Sequence, residues 1–149
     1  MDNPTIRDSV GFQLIHAGKR HRNYFTEALE ALGLQGGEEL VLAQLSETDG
    51  ISQSELADAL IVEPPTITAL VKRLESDGFV NRRQDPDDAR AQQVFLTDRG
   101  RELIEPIETC WSQGEEALCA GFTTEERLLF RRMLMEVREN LGESDSRIR

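Results

Sequence analysis

The chain has 149 residues, of which 38% are apolar and 30% are charged, a composition typical of a globular domain rather than a disordered chain. A formal net charge of −11 at pH 7 excludes a general attraction to nucleic acid, so any DNA binding has to come from locally clustered cations. With two cysteines, no apolar run long enough to cross a bilayer and no signal-like N-terminus, we expect a protein of the reducing cytoplasm without membrane contact.

The first third of the chain is predicted to form two helices. Apolar residues recur at steps of three and four over residues 8–32, which is the period of a helix that buries one face. A second helix covers residues 37–47, and its pattern places Leu40, Val41 and Leu45 on the buried side. The turn that follows separates this part from the better marked helices downstream.

Two short helices joined by a tight turn are predicted next. Ser52 and Glu55 form a capping box that starts the first of them. The turn at residues 61–64 leads into a second helix, which begins at a pair of prolines and ends at Gly78. This arrangement is the layout of a helix-turn-helix motif.

A β-hairpin with a charged tip is predicted directly after this motif. β-prone residues at 79–80 and 94–96 flank the turn residues 85–88. A hairpin in this place is the wing of a winged helix-turn-helix lobe, which we assign to residues 37–97. The predicted fold class is therefore mainly α with a small β-wing (α+β).

Two further helices are predicted at the C-terminal end. One runs over residues 98–120 with a kink at Pro106, and a capping box at Thr123 starts another that ends near Leu141. Helices 8–33 and 98–141 carry more apolar residues than a winged helix buries, which predicts a homodimer of this chain, taken as a single unit over 1–149. The surplus residues are Leu103, Ile107, Trp111, Leu118, Phe130, Leu134 and Val137.

The sequence resembles the MarR (multiple antibiotic resistance regulator) family of transcription regulators. The most specific feature is the spacing Asp85-x-x-Asp88-x-Arg90-x-x-x-x-x-Leu96-Thr97-x-x-Gly100. Matching segments at 32–34, 56–57, 66–75 and 78–80 extend the resemblance over almost the whole chain. It implies a homodimer with a winged helix in each half, and repression that a small ligand or oxidation relieves.

Three positions depart from the family pattern. Glu63 stands where a small hydroxyl residue often caps the recognition helix, and a carboxylate there faces phosphate. Ala89 replaces a basic residue that is common beside the wing arginine. Ile61 replaces a glycine, which matters if the backbone there has a positive φ. The first two weaken the expected DNA affinity more than they affect the fold.

The candidate DNA contacts lie on the recognition helix and on the wing. Arg90 is expected to enter the minor groove, and Asp88 to hold its guanidinium in a bidentate pair, a role that the resemblance also implies. The alternative is a solvated polar face with ordinary surface ion pairs, including pairs of Arg82 and Arg83 with wing carboxylates. The full set is Pro65, Thr66, Thr68, Ala69, Lys72, Arg73, Arg82, Arg83, Asp88 and Arg90.

A ligand site near the dimer helices is a further hypothesis. In the family such a site often takes phenolic carboxylates, and here Phe12, His16, Arg20 and Trp111 are the candidate lining, with Arg20 meeting a carboxylate. His16 and His21 do not share a helix face, so we predict no metal site and no cofactor. No catalytic constellation points to an enzyme.

Two other functions compete with that of a DNA-binding repressor on a pseudo-palindromic operator. The acidic balance, Glu63 and Ala89 fit a winged-helix module that binds a protein or small ligand and touches DNA weakly. A thiol-based redox sensor would use Cys110 or Cys119, but neighbouring acidic and apolar residues favour two buried, unreactive thiols.

Overall fold

The protein's computed structural model describes residues 5–142. It shows the predicted class, mainly helical with one small antiparallel sheet. Its elements after a 3-10 turn at Ile6–Asp8 are α1 (Val10–Glu30), α2 (Glu38–Glu47), β1 (Ile51–Ser52), α3 (Gln53–Leu60), α4 (Pro64–Ser76), β2 (Val80–Gln84), β3 (Gln92–Leu96), α5 (Asp98–Glu102), α6 (Ile104–Leu118) and α7 (Thr124–Leu141).

The chain divides into two compact units, and the boundary follows Gly114. The core of the first unit is a cluster of apolar side chains from α1 to α6 and the sheet. Its central members are fully buried, and each such leucine or valine contributes about 1.5–3 kcal/mol relative to an exposed one. They are Leu34, Val41, Leu42, Leu45, Leu56, Val71, Leu74 and Val94.

One predicted core position on α2 is wrong. Leu40 is 37% exposed, whereas Leu42 is completely buried beside Val41 and Leu45. Residues 42 and 45 are one turn apart, and the same face of the helix extends back to Glu38. From hydrophobicity alone, a glutamate at position 38 is expected on the surface. Glu38 is nevertheless buried, with 1% of its surface exposed.

The sheet contains the predicted wing and a third strand. Strands β2 and β3 pair antiparallel, with Val80 opposite Leu96 and Gln84 opposite Gln92. β1 adds to the other side of β3, which gives the strand order β1-β3-β2. The sequence does not mark β1, because two residues are too few to show the alternation of a strand.

The predicted capping residues are confirmed. Ser52, Thr97 and Thr123 each accept a hydrogen bond at the hydroxyl from the backbone N–H three residues on, over 3.0–3.1 Å. These bonds satisfy amides that the first turn of a helix leaves without a partner. The starts of α3, α5 and α7 are therefore set by local sequence.

The predicted kink of the long helix occurs four residues before Pro106. α5 ends at Glu102, and α6 begins at Ile104, which places Pro106 in the first turn of the new helix. A proline ring clashes with the carbonyl four residues earlier, here that of Glu102, and supplies no N–H to it. The break therefore falls where the clash would otherwise occur.

The second unit contains the end of α6 and all of α7. Rings of Phe122 and Phe130 lie 5.9 Å apart, and Arg127 pairs with Glu115 at 3.7 Å. α7 has no buried residue, and Leu128 is 66% exposed. Among residues 5–142, no helix combines the length and the apolar character needed to cross a bilayer.

Ile61 adopts a left-handed backbone conformation in the turn between α3 and α4. Its φ is 55° and its ψ is 51°, and it is the one non-glycine residue with positive φ in the described chain. Its N–H bonds to the carbonyls of Ala57 and Asp58, so the conformation closes the helix end. The side chain is 70% exposed and gains little from burial, while a β-branched residue strains this conformation.

We expect Ile61→Gly to stabilise the protein by about 1 kcal/mol, because glycine adopts this conformation without strain. Ala59→Gly is the matched control, since Ala59 is an exposed residue of the same helix with helical backbone. Glycine there should destabilise by about 0.5–1 kcal/mol. Urea unfolding measures both changes, and equal destabilisation by the two variants would contradict the strain at Ile61.

Candidate DNA-binding surface

α4 is the predicted recognition helix and exposes the predicted face. Ile67, Leu70, Val71 and Leu74 are buried in the core. The opposite side is open to solvent and carries Pro65, Thr66, Thr68, Ala69, Lys72 and Arg73. Glu63 precedes the helix without a side-chain cap, and prolines occupy its first turn. The helix therefore offers few free N–H groups to a phosphate, and its own cations have to supply the attraction.

Thr68 is partly engaged by the neighbouring helix. Its hydroxyl donates to the carbonyl oxygen of Pro64 over 2.9 Å and accepts from Nε2 of Gln53 over 3.5 Å. The other end of the Gln53 amide, Oε1, is buried and has no hydrogen-bond partner among the described residues. Gln53 is a polar residue at this surface that the sequence patterns did not identify, because its neighbour lies fifteen positions away.

Arg73 is bound to the first residue of α2 and to the loop that precedes this helix. Its Nε lies 3.0 Å from Oε1 of Glu38, and its Nη1 donates to the side-chain oxygen of Gln35. Burial raises the pKa of Glu38, although Arg73 and a backbone hydrogen bond from Gln35 oppose that shift. The guanidinium is thus the cation that offsets a buried carboxylate, while 44% of its side chain stays exposed.

Arg82 is bound to the C-terminal end of α4. Its Nη2 donates to Oε1 of Glu75 over 2.9 Å, and its backbone N–H donates to Oε2 over 3.2 Å. Hydrogen bonding from Arg82 lowers the pKa of Glu75. The partner is thus a helix residue rather than the wing carboxylates that the sequence suggested, and the pair joins the wing to the recognition helix.

The wing tip presents Arg90 without a side-chain partner among the described residues. Asp88 accepts a hydrogen bond from the backbone N–H of Arg90 over 2.9 Å, and Asp85 does the same for Asp87. The predicted bidentate pair of Asp88 with the guanidinium is absent, because its carboxylate closes the turn instead. Arg83 lies over the ring of Phe95, 4.6 Å from its centre.

The four predicted ligand residues do not surround one cavity. Phe12 stacks on His16 at 4.3 Å, whereas Trp111 packs against Phe25 at 5.0 Å. Trp111 lines a cavity of about 360 Å³ in the first unit, and its indole N–H is buried without a hydrogen-bond partner. The lining residues that carry polar groups or aromatic rings are His21, Arg22, Phe25, Thr26, Glu39 and Trp111.

The surroundings of Cys110 differ from those of a redox-sensing thiol. Burial raises the pKa of the Cys110 thiol, and the charge of Glu39 adds to that effect. Cys119 is also buried, and both thiols are free. A raised pKa lowers the thiolate fraction on which oxidation depends. Within the part of the chain that the structure describes, no cluster of histidines, cysteines and carboxylates fits a metal ion.

Comparison with known proteins places these features in one family. The sequence model of the MarR family matches residues 37–91. The HTH-type transcriptional repressor Rv2887 of Mycobacterium tuberculosis is 32% identical over 133 residues, which cover 89% of this chain and 93% of that protein. The HTH-type transcriptional regulator YdgJ of Bacillus subtilis is 36% identical over 102 residues, 68% of this chain and 62% of its own length, so the match spans less than two thirds of that relative.

A solved structure supports the same assignment. A mutant MarR from E. coli complexed with operator DNA superposes with a TM-score of 0.79 and 25% identity, over 86% of this chain and 92% of that one. The chain belongs to the MarR family of DNA-binding transcriptional regulators, which are not enzymes.

Proposed function

We propose that the protein is a cytoplasmic, homodimeric repressor that binds a pseudo-palindromic operator and leaves it when a small ligand binds. DNA binding is supported above all by two exposed cations, Lys72 on α4 and Arg90 on the wing. Neither side chain has an ion-pair partner among residues 5–142, so both charges remain for DNA.

Each of the two cations suits a different groove. A helix in the major groove reads bases with its N-terminal half, here Thr66, Thr68 and Ala69, while Lys72 further along approaches phosphate. Arg90 at the hairpin tip suits a narrow minor groove, where the negative potential is deepest. In a dimer the two recognition helices would lie about 34–36 Å apart, one turn of B-DNA.

Arg90→Ala should weaken binding to the DNA flanking the protein's own gene by about tenfold per protomer, or 1.4 kcal/mol for each wing. The slope of log affinity against log salt should also become shallower by about 0.9 per protomer, if Arg90 replaces one counterion. Fluorescence anisotropy over a series of salt concentrations measures both quantities.

Arg101→Ala is the control for this variant. It removes the same charge from α5, where Arg101 is paired with Asp49 at 2.8 Å, and it should change affinity little. Equal losses in the two variants would mean that net charge rather than the wing controls binding.

The proposal of a homodimer is supported by the surface of α7. A helix of 18 residues with no buried side chain lacks the contacts that normally stabilise a helix in a protein. Leu128 and Met135 are 66% and 43% exposed and lie seven residues apart, so they share a face. A second copy of the chain is the simplest cover for such a face.

Leu128→Glu combined with Met135→Glu should convert the dimer to monomer in analytical ultracentrifugation, because dimerisation would bury two added charges from each protomer. DNA binding should fall with it, since two linked half-sites become one. Ser46→Glu, an exposed change on α2, should leave the dimer intact. A dimer of unchanged stability in the double variant would exclude this face from the interface.

The ligand-relief part is supported by the cavity at Trp111. Arg22 and His21 supply positive or donor groups, the Trp111 indole supplies an unused N–H, and Phe25 supplies an aromatic wall. An aromatic carboxylate matches these groups. Arg22 lines this cavity and Arg20 does not, so Arg22 is the better candidate for the carboxylate partner.

Benzoate should quench the fluorescence of Trp111, the protein's single tryptophan, and weaken DNA binding in parallel. Arg22→Ala should raise the benzoate concentration needed for both effects by about tenfold, the loss of one charge-assisted hydrogen bond. Arg20→Ala, the residue that the sequence suggested, should leave them unchanged. If Arg20→Ala raised the required benzoate concentration more than Arg22→Ala did, the ligand site would lie near His16 instead of in this cavity.

A further inference from the structure

Arg73 lies on one side of the recognition helix, at the edge of its solvent-exposed face. Thr66 and Arg73 are seven residues apart and therefore share this flank, which faces the loop before α2. The ion pair with Glu38 and the hydrogen bond to Gln35 both hold the guanidinium toward that loop. Lys72 has no such contact among the described residues and stays exposed.

Glu38 depends on Arg73 for its charge. The Glu38 carboxylate is 1% exposed, its Oε2 has no hydrogen-bond partner, and Asp77 lies near enough to oppose its ionisation. A buried carboxylate is costly unless a cation and hydrogen bonds compensate it. Transfer of Arg73 to a DNA phosphate would leave Glu38 buried and unpaired, so the internal pair competes with DNA for this guanidinium.

We propose that Glu38 is a positioning residue that withholds Arg73 from the DNA backbone and so limits binding to DNA of any sequence. This inference rests on the DNA-binding activity and goes beyond it, because it assigns one of the two cations of α4 to the protein itself. Phosphate contacts carry no sequence information. Withholding one lowers sequence-independent affinity without removing a contact to bases.

Four variants of the full-length protein test this inference with a duplex of mixed sequence at several salt concentrations. They are Arg73→Gln, Lys72→Gln, Glu38→Gln and the combination of Glu38→Gln with Arg73→Gln. The measured quantity is the slope of log affinity against log salt, which counts phosphate contacts at about 0.9 each. A residue that merely stabilises the fold does not change this count.

Arg73→Gln should keep the wild-type slope, whereas Lys72→Gln should make it shallower by about 0.9 per protomer. Glu38→Gln should release Arg73, steepen the slope by about 0.9 and raise affinity about eightfold per protomer at 0.1 M salt. The combined variant should return to the wild-type slope. A loss of slope in Arg73→Gln equal to that in Lys72→Gln would overturn the proposal.

Retention on immobilised heparin, a generic polyanion, separates this inference from the proposed function. Glu38→Gln should elute at higher salt than the combined variant, and co-elution of the two would overturn the proposal. If Glu38→Gln does not fold, the combined variant, which leaves no buried carboxylate unpaired, is compared with wild type and Lys72→Gln on the same column. Retention as weak as that of Lys72→Gln would overturn the proposal. Failure of the wild-type protein to bind the duplex would count against the DNA-binding function alone. The salt concentration at which the variants elute from heparin would still show whether Glu38 keeps Arg73 from binding a polyanion.

Discussion

The recognition helix is held on both flanks by ion pairs, Arg73 with buried Glu38 on one side and Glu75 with Arg82 on the other. Close-packed apolar side chains on the inner face of α4 fix its depth in the core. Hydrogen bonds with defined geometry add directional contacts on its two flanks. One pair joins α4 to the first residue of α2, and the other joins it to the base of the wing, so the recognition helix and the wing are linked by a direct contact.

This arrangement explains how an acidic lobe remains compatible with DNA binding. Residues 37–97 contain five cations: Lys72, Arg73, Arg82, Arg83 and Arg90. Two of them neutralise carboxylates of the same lobe, and Arg83 lies on Phe95. The attraction to phosphate is then concentrated in a few positions rather than spread over a basic face. Binding that depends on few contacts requires the elements that carry them to be well positioned. The pairs of Arg73 with Glu38 and of Arg82 with Glu75 help to position α4 and the wing.

Local sequence predicted the features that depend on neighbours along the chain. Caps at Ser52, Thr97 and Thr123 each involve residues three apart, and the break before Pro106 involves residues four apart. The pair of Arg73 with Glu38 joins positions thirty-five apart, and no periodicity encodes it. Glu75 was not predicted as the partner of Arg82 for a different reason, because the nearby wing carboxylates are equally plausible partners from sequence alone.

The first turn of α2, with Gly37 before it, connects the cavity to the DNA-binding surface. Glu39 lines the cavity and accepts the Gly37 N–H over 2.9 Å, while the preceding residue, Glu38, holds Arg73. Gly37 has a φ of 95° and lies against Leu70 of α4, where a Cβ would approach its methyl groups to 3.4 Å. A ligand changes an equilibrium only through a difference in its contacts between two states. A ligand that displaces Glu39 would act on the first turn of α2, where the neighbouring Glu38 carboxylate fixes the recognition helix.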